Sequence, residues 1–208
     1  MPDAHSLLLF LAAGLALNFT PGPDMLYVAA RGASEGRAAG IVSALGIGAG
    51  TFVHIALVAL GLAALLAAVP LAYAVVRIGG AAYLIYLGVR AFRSRSALTL
   101  QKVEPASLTV IFRQGVITNV LNPKVALFFL AFLPQFIDPS RGNPALQVVA
   151  LGLLFDTTGT LVNLGVALGS SRAAASLRRS SRAADVLQKV TGVLFIGLGV
   201  RLAVAGRK

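Results

Sequence analysis

Asn18-Phe19-Thr20-Pro21-Gly22-Pro23-Asp24 is the stretch whose reading decides the fold. An uncharged, mostly apolar run, Ser6 to Leu17, precedes it, and a second, Met25 to Ala30, follows. Two prolines and a glycine stand where a membrane helix is expected to continue. Proline has no N–H to donate, and its ring clashes with the preceding turn. In hydrocarbon every unpaired backbone group is costly, so a break at that depth persists only against protein or a wet cavity. Asp24 sharpens the point, because a charged side chain at the bilayer centre costs about 2.5–3.5 kcal/mol on insertion scales. The stretch reads as a broken first helix that lines a site. The plainer alternative is a helix ending at Phe19, with Pro-Gly-Pro as a surface turn. The break is preferred because the motif has a partner later in the chain.

Composition agrees with a membrane protein. Of 208 residues, 57% are hydrophobic and only 12% charged, with mean hydropathy +0.85, against about 25% charged residues in soluble domains. A net charge of +11 would suggest nucleic acid in a soluble protein. Here most of it falls between hydrophobic segments, where it sets membrane orientation, and no nucleic-acid partner is expected. The chain has no cysteine, which excludes dithiol relays, haem thiolate and iron–sulfur ligation by its own residues. The start, Met1-Pro2-Asp3-Ala4-His5, lacks the basic region of a cleaved signal peptide, so the first hydrophobic segment is expected to be retained.

A spanning helix takes about 20 apolar residues. Six such segments are expected: Ser6 to Ala30, Gly40 to Ala68, Leu71 to Phe92, Gly115 to Ile137, Pro144 to Ser170 and Val190 to Ala205. Between them lie a polar loop Arg31 to Ala39, a turn at Val69-Pro70, a polar stretch Arg93 to Gln114, a turn Asp138 to Asn143 and a basic stretch Ser171 to Lys189. Arg31 and Arg37 lie in or beside the first connection. Arg90, Arg93, Arg95, Lys102 and Arg113 belong to the third. Arg172, Arg178, Arg179, Arg182 and Lys189 belong to the fifth. The other side has Arg141 and three basic residues at the C-terminus. The positive-inside rule then puts the basic loops in the cytoplasm and the N-terminus outside. The basic C-terminal tail leaves five spans open as an alternative to six.

The two halves resemble each other. Asn18-Phe19-Thr20-Pro21 matches Asn119-Val120-Leu121-Asn122-Pro123 with one residue of slack. Gly50-Thr51-Phe52-Val53-His54 matches Gly159-Thr160-Leu161-Val162-Asn163. Arg77-Ile78-Gly79-Gly80 and Leu87-Gly88-Val89-Arg90 match Lys189-Val190-Thr191-Gly192 and Leu198-Gly199-Val200-Arg201. Three helices per repeat is an odd number, so the second half must enter the membrane from the opposite side. Inverted repeats with interrupted helices at corresponding positions point to a secondary transporter with a midplane site. The fold expected is therefore all-α, a polytopic membrane helix bundle forming a single domain over 1–208. It comprises repeat one over 6–92, a cytoplasmic linker over 93–114 and repeat two over 115–205, with the first and fourth helices broken.

Asp24, Arg77, Lys124 and Asp156 are formally charged residues inside hydrophobic segments. Such residues usually face the bundle interior and mark a pathway or proton relay. Asp24 and Lys124 follow the two breaks, and inverted symmetry would bring them together, either to flank a cavity or as a structural ion pair. Arg77 can snorkel to the interface. Asp156, in mid-segment, is the candidate proton carrier, with a satisfied structural aspartate as the alternative. His54 and Asn163 are counterparts in the repeat, and a lone helical histidine is more often structural than a ligand. Asn18, Thr20, Asn119 and Asn122 can satisfy backbone freed by Pro21, Pro23 and Pro123. A half-helix start after each break would also present N–H groups and a positive dipole end to a carboxylate, with carbonyls on the other side for an ammonium. A zwitterionic amino acid suits such a site. There is no His-Glu-x-x-His, P-loop or cysteine cluster. Gly46-x-Gly48-x-Gly50 reads as helix packing rather than a dinucleotide fingerprint, so no enzyme, metal or cofactor is expected.

Asn18-x-Thr-Pro-Gly-Pro-Asp, Glu35-Gly-Arg-Ala-Ala-Gly, Ala44-Leu45-Gly46-Ile47-Gly48, His54 and Leu60-Gly61-Leu62-Ala63 resemble the LysE/RhtB family of amino-acid exporters. So do Gly115-x-x-x-Asn119-x-x-Asn122-Pro123-Lys124, Phe128-Phe129 and Leu133-Pro134-Gln135-Phe136. The resemblance covers nearly the whole chain. It implies an exporter of amino acids or related metabolites in the bacterial inner membrane, driven by proton exchange, with Pro21, Gly22, Pro23, Asn122, Pro123 and Lys124 around the pathway. The residue after Pro-Gly-Pro is often Asn in this family, and Asp24 would alter the preference for substrate charge. The expected partners are the bilayer, a small-molecule substrate and protons, with a homo-oligomer as an option. A passive channel and a non-transport scaffold are the alternatives.

Overall fold

The computed structural model describes residues 3–62, 70–93 and 104–177, together with helical positions 189, 192–193, 195–197, 199–200 and 203–204. Among the described residues all regular structure is helical. Helix α1 (Ala4–Phe19) starts where the Asp3 carboxylate accepts the Ser6 N–H at 2.8 Å. Pro21 and Pro23 interrupt it, and α2 (Pro23–Glu35) leaves at 48° to it. The carbonyls freed by the break find donors. The Thr20 N–H bonds Leu17 O at 3.1 Å, and the Thr20 hydroxyl bonds Ala16 O at 2.7 Å. Gly36, with φ +89°, turns the chain into α3 (Arg37–Leu57), which continues through a π-helical turn, Val58–Leu62. A residue with a Cβ rarely adopts that φ, so glycine is needed there.

Helix α4 (Pro70–Arg93) precedes the linker. Ser107 caps α5 (Leu108–Val120) by accepting the Val110 N–H. The second break follows at Leu121 and Asn122, where the chain bends by 45° into α6 (Pro123–Leu127). This half-helix runs on as a π turn, Phe128–Phe132, and a 3-10 turn, Leu133–Phe136. A short turn over Pro139–Arg141 leads to α7 (Pro144–Leu177). By length and composition, residues 37–61 and 144–169 can each cross a membrane, and counting each bent pair as one span gives up to four among the described residues.

Beside an apolar core, polar side chains are buried while large apolar ones face outward. Ser43, Thr51, Asn119, Asn122, Gln147 and Asn163 are inside, while Leu60 is 81% exposed and Leu121, Leu146 and Leu161 also face outward. A water-soluble chain would hide those leucines and wet those amides. Hydrocarbon around the bundle reverses the preference, because outward polar groups would lack partners there.

Without a hydrophobic drive between helices in lipid, close packing of small residues holds them together. Helix α3 lies against α5 so tightly that a Cβ on Gly46 would sit 2.4 Å from the Phe112 carbonyl oxygen. A Cβ on Gly50 would meet Asn119 Cβ at 2.7 Å. The Gly46-x-Gly48-x-Gly50 run thus serves helix packing. Helix α4 meets the last segment in the same way, Gly88 against Gly192 and Ile196, and Gly199 against Ala81 and Ile85. Phe10, Phe128, Phe132, Phe136 and Phe155 fill the space between α1, the second broken helix and α7, with Phe128 and Phe155 stacked at 4.6 Å.

Three boundary expectations need correction. Arg31 to Ala39 is not a loop: α2 runs to Glu35, α3 starts at Arg37, and Arg31 is buried on the helix, held by partners described below. The 93–114 linker ends early, because the Ser107 cap starts α5 at Leu108 and Arg113 and Gln114 are helical. Helix α7 continues past Ser170 to Leu177. Val69, positions 94–103, the basic stretch over 178–188 and much of segment six lie outside the described residues, as does the side chain of Arg77.

Candidate functional site

The two breaks face each other. Lys124, first to follow Pro123, reaches back to the first break. Its Nζ lies 3.3 Å from both Asp24 carboxylate oxygens, 3.1 Å from Thr20 O and 3.3 Å from Leu17 O. Both side chains are nearly dry, 7% and 8% exposed. Such burial is tolerable only because each charge has its partner and the ammonium has additional acceptors. Pro21 has no N–H to give Leu17 O, which accepts from the Thr20 N–H and from Lys124 instead, and Thr20 O lies at the break between the two helices. Gly22 lets the backbone approach: a Cβ there would lie 2.6 Å from Asp24 Oδ1 and 3.0 Å from Lys124 Nζ. All contacts to Nζ exceed the 2.7–2.9 Å usual for charge-assisted bonds, about 3.1 Å at the shortest.

The asparagines brace the two breaks differently. Asn18 Nδ2 donates to Phe155 O at 3.3 Å and to the Thr158 hydroxyl at 3.1 Å, with its amide packed on Gly159. Asn119 packs on Gly50, and its carbonyl lies 3.1 Å from His54 Nε2. The imidazole also stacks on Phe129. His54 is thus a brace for the second break. Asn122 Oδ1 accepts the Lys124 N–H at 3.1 Å, capping α6. Among the described residues, the buried amide atoms Asn119 Oδ1 and Asn122 Nδ2 lack hydrogen-bond partners. A buried polar group left unpaired in this way is expensive and asks for a ligand or water.

Asp156 and Asn163 occupy α7 away from that pair in the sense that no described contact ties either to it. Asp156 faces α3: Thr160 Oγ1 lies 3.5 Å from its Oδ1, and a Cβ on Gly48 would lie 3.4 Å from the same oxygen. Asn163 is buried. Pro21, Gly22, Pro23, Asp24, Thr20, Asn122, Pro123 and Lys124 are brought together, with Asn18 and Asn119 flanking.

A second polar cluster escaped the sequence reading. On one face of α2, Tyr27, Arg31 and Glu35 follow each other at helical spacing. Arg31 pairs with Glu35, donates to Glu104 O at 2.8 Å and to Gln114 Oε1 at 2.7 Å, and its guanidinium lies 5.8 Å above the Tyr27 ring. Tyr27 donates to Ile111 O at 2.7 Å, and Glu35 accepts the Ala106 N–H at 2.8 Å. These bonds clamp the end of α2 to the start of α5. The i, i+4, i+8 recurrence of Tyr, Arg and Glu was the available signal.

Comparison with known proteins places this geometry. The LysE type translocator family model matches residues 15–206. An uncharacterized membrane protein of Pseudomonas aeruginosa is 36% identical, covering 89% of this chain and 88% of its own. An uncharacterized membrane protein of Vibrio cholerae is 32% identical over 98% of each. A homoserine/homoserine lactone efflux protein of Salmonella typhimurium is 30% identical over 94% of this chain and 95% of its own. No solved structure matches the chain.

Proposed function

The chain belongs to the LysE type translocator family, and from that premise we propose that it exports amino acids or related small metabolites across the bacterial inner membrane by proton antiport. The observation that carries the reading is the buried Asp24–Lys124 pair at the meeting point of two broken helices, with the Leu17 and Thr20 carbonyls completing the contacts of the ammonium. A fully desolvated pair of opposite charges offers both poles that a zwitterion needs. The similarity to the Salmonella homoserine/homoserine lactone efflux protein makes homoserine the first substrate to try.

The mechanism proposed is alternating access by two inverted repeats, 6–92 and 115–205, with the N-terminus outside and about six spans. Reciprocal contacts support it. Asn18 packs on Gly159 while its counterpart Asn119 packs on Gly50, the counterpart of Gly159. Gly14 meets Phe155 while Gly115 meets Gly46. Gly88 meets Ile196 while Gly199 meets Ile85. The two bends, 48° and 45°, are nearly equal. Each break therefore leans on the crossing helix of the other half, so the halves can rock about the pair that joins them. Asp156 carries the proton in this scheme, because it faces α3 with hydroxyl rather than cationic partners. His54 stays as a brace at the flank of the pathway, and the buried Asn163 is its repeat counterpart there.

Reconstituted vesicles test the reading. Loaded with labelled homoserine or other small amino acids and given a pH gradient, they are expected to move substrate against its own gradient. Flux that only equilibrates makes the protein a channel, and an absence of flux for every amino acid tried removes the transport reading.

A further inference from the structure

Lys124 does not merely pair with Asp24; it occupies a complete ammonium site. Leu17 O, Thr20 O and both Asp24 oxygens surround Nζ, and all four belong to the first break, while the lysine arrives from the second. We propose that the Lys124 ammonium is a tethered stand-in for the ammonium of the substrate: the substrate amine displaces it from this cradle, and the released Lys124 pairs with the substrate carboxylate. This inference rests on the amino-acid export reading above.

Three observations support it. The bonds to Nζ are long, 3.1–3.3 Å, so the resident cation is held loosely enough to exchange. Asn122 Nδ2, on the residue that caps Lys124, is a buried donor without a partner, left over for an incoming carboxylate. Charge is conserved throughout. Before exchange one anion and one cation are paired; afterwards Asp24 holds the substrate ammonium and Lys124 holds its carboxylate, so no bare charge is stranded in a dry site. The same accounting fixes the substrate class. An amine without a carboxylate leaves Lys124 unpaired, a carboxylate without an amine cannot displace it, and a second side-chain charge has no counterpart. The site selects α-amino acids with uncharged side chains.

Removing the stand-in should open the cradle to a bare amine. The full chain in lipid nanodiscs is unfolded thermally with n-propylammonium chloride, with sodium propionate and with sodium chloride. Lys124→Met is expected to gain roughly 2–4 °C from n-propylammonium alone, whereas the wild type and the Asp24→Asn/Lys124→Met double variant gain nothing. A Lys124→Met protein indifferent to n-propylammonium overturns the proposal. Should that variant not fold, competition on the wild type decides. An unlabelled α-amino acid with a neutral side chain should inhibit export of labelled amino acid, whereas n-propylammonium and propionate alone should not, and inhibition by n-propylammonium as strong as by the amino acid overturns the idea. Wild-type vesicles that export no amino acid sink the export reading instead, and the thermal result on Lys124→Met still reports on the cradle.

Discussion

Asp24 and Lys124 were legible as a pair before any coordinates, because two charges placed after two helix breaks are too costly to bury apart. The structure adds what the sequence could not give: the carbonyls of Leu17 and Thr20 as further acceptors, and Gly22 as the space that admits them. Removing one partner from a buried pair costs about 3–5 kcal/mol, whereas neutralising both costs far less. Asp24→Asn and Lys124→Met should therefore each lower thermal stability sharply, and the double variant should be more stable than the sum of the two losses. Strict additivity would show that the pair is not coupled. Asp156 is a separate case. If it carries the proton, Asp156→Asn should abolish export driven by a pH gradient while leaving substrate-for-substrate exchange across the same vesicles. Unchanged pH-driven export takes Asp156 out of the mechanism. Arg31 shows where residue-level reading failed. A charge next to an apolar run looks like the start of a loop, and nothing local reveals that Gln114 and the 104–106 backbone will cover it.

The breaks at Pro21 and Pro123 could be read because proline acts locally: it removes a donor whatever surrounds it. Helix ends set by tertiary partners could not. Helix α2 continues to Glu35 because Arg31 and Glu35 tie its last turn to the segment before α5, and α5 starts early because Ser107 caps an apolar run inside what composition marked as linker. Glycine roles divide in the same way. Gly46 and Gly165 look alike in the sequence, yet a Cβ on Gly46 would strike the Phe112 carbonyl at 2.4 Å and one on Gly165 would meet nothing within 4 Å. Gly46→Ala should force α3 and α5 apart and cost about 1–3 kcal/mol. Gly165→Ala, in the middle of α7, should stabilise by up to about 1 kcal/mol, since alanine loses less chain entropy in a helix. Thermal unfolding in one detergent compares them directly. Equal effects would mean that α3 and α5 do not pack through these glycines.

Along the first bent pair, Asp24 and its partner Lys124 lie between the phenylalanine cluster around Phe10 and Phe128 and the Tyr27–Arg31–Glu35 clamp at the end of α2. On the export reading, substrate passing to either side would have to loosen one of them, and they differ in kind: one is apolar, the other a hydrogen-bonded network. Their placement also fixes which connections share a side. Asp3, whose carboxyl is held below its ordinary range chiefly by the Ser6 N–H, lies close enough to Arg141 to be lowered further by its charge. The start of α1 and the 138–143 turn therefore lie at one end of the bundle. Glu35 binds the Ala106 N–H at the far end of the first bent pair, so the 104–107 segment belongs to the other end. The basic residues around 90–113 argue that this second end is cytoplasmic. The cysteine-free chain makes the assignment directly testable. In intact cells an impermeant maleimide should label Ser140→Cys, while Glu104→Cys should react only after the membrane is breached. The opposite pattern would invert the protein in the membrane, and labelling of both positions from outside would mean that the first bent pair does not cross.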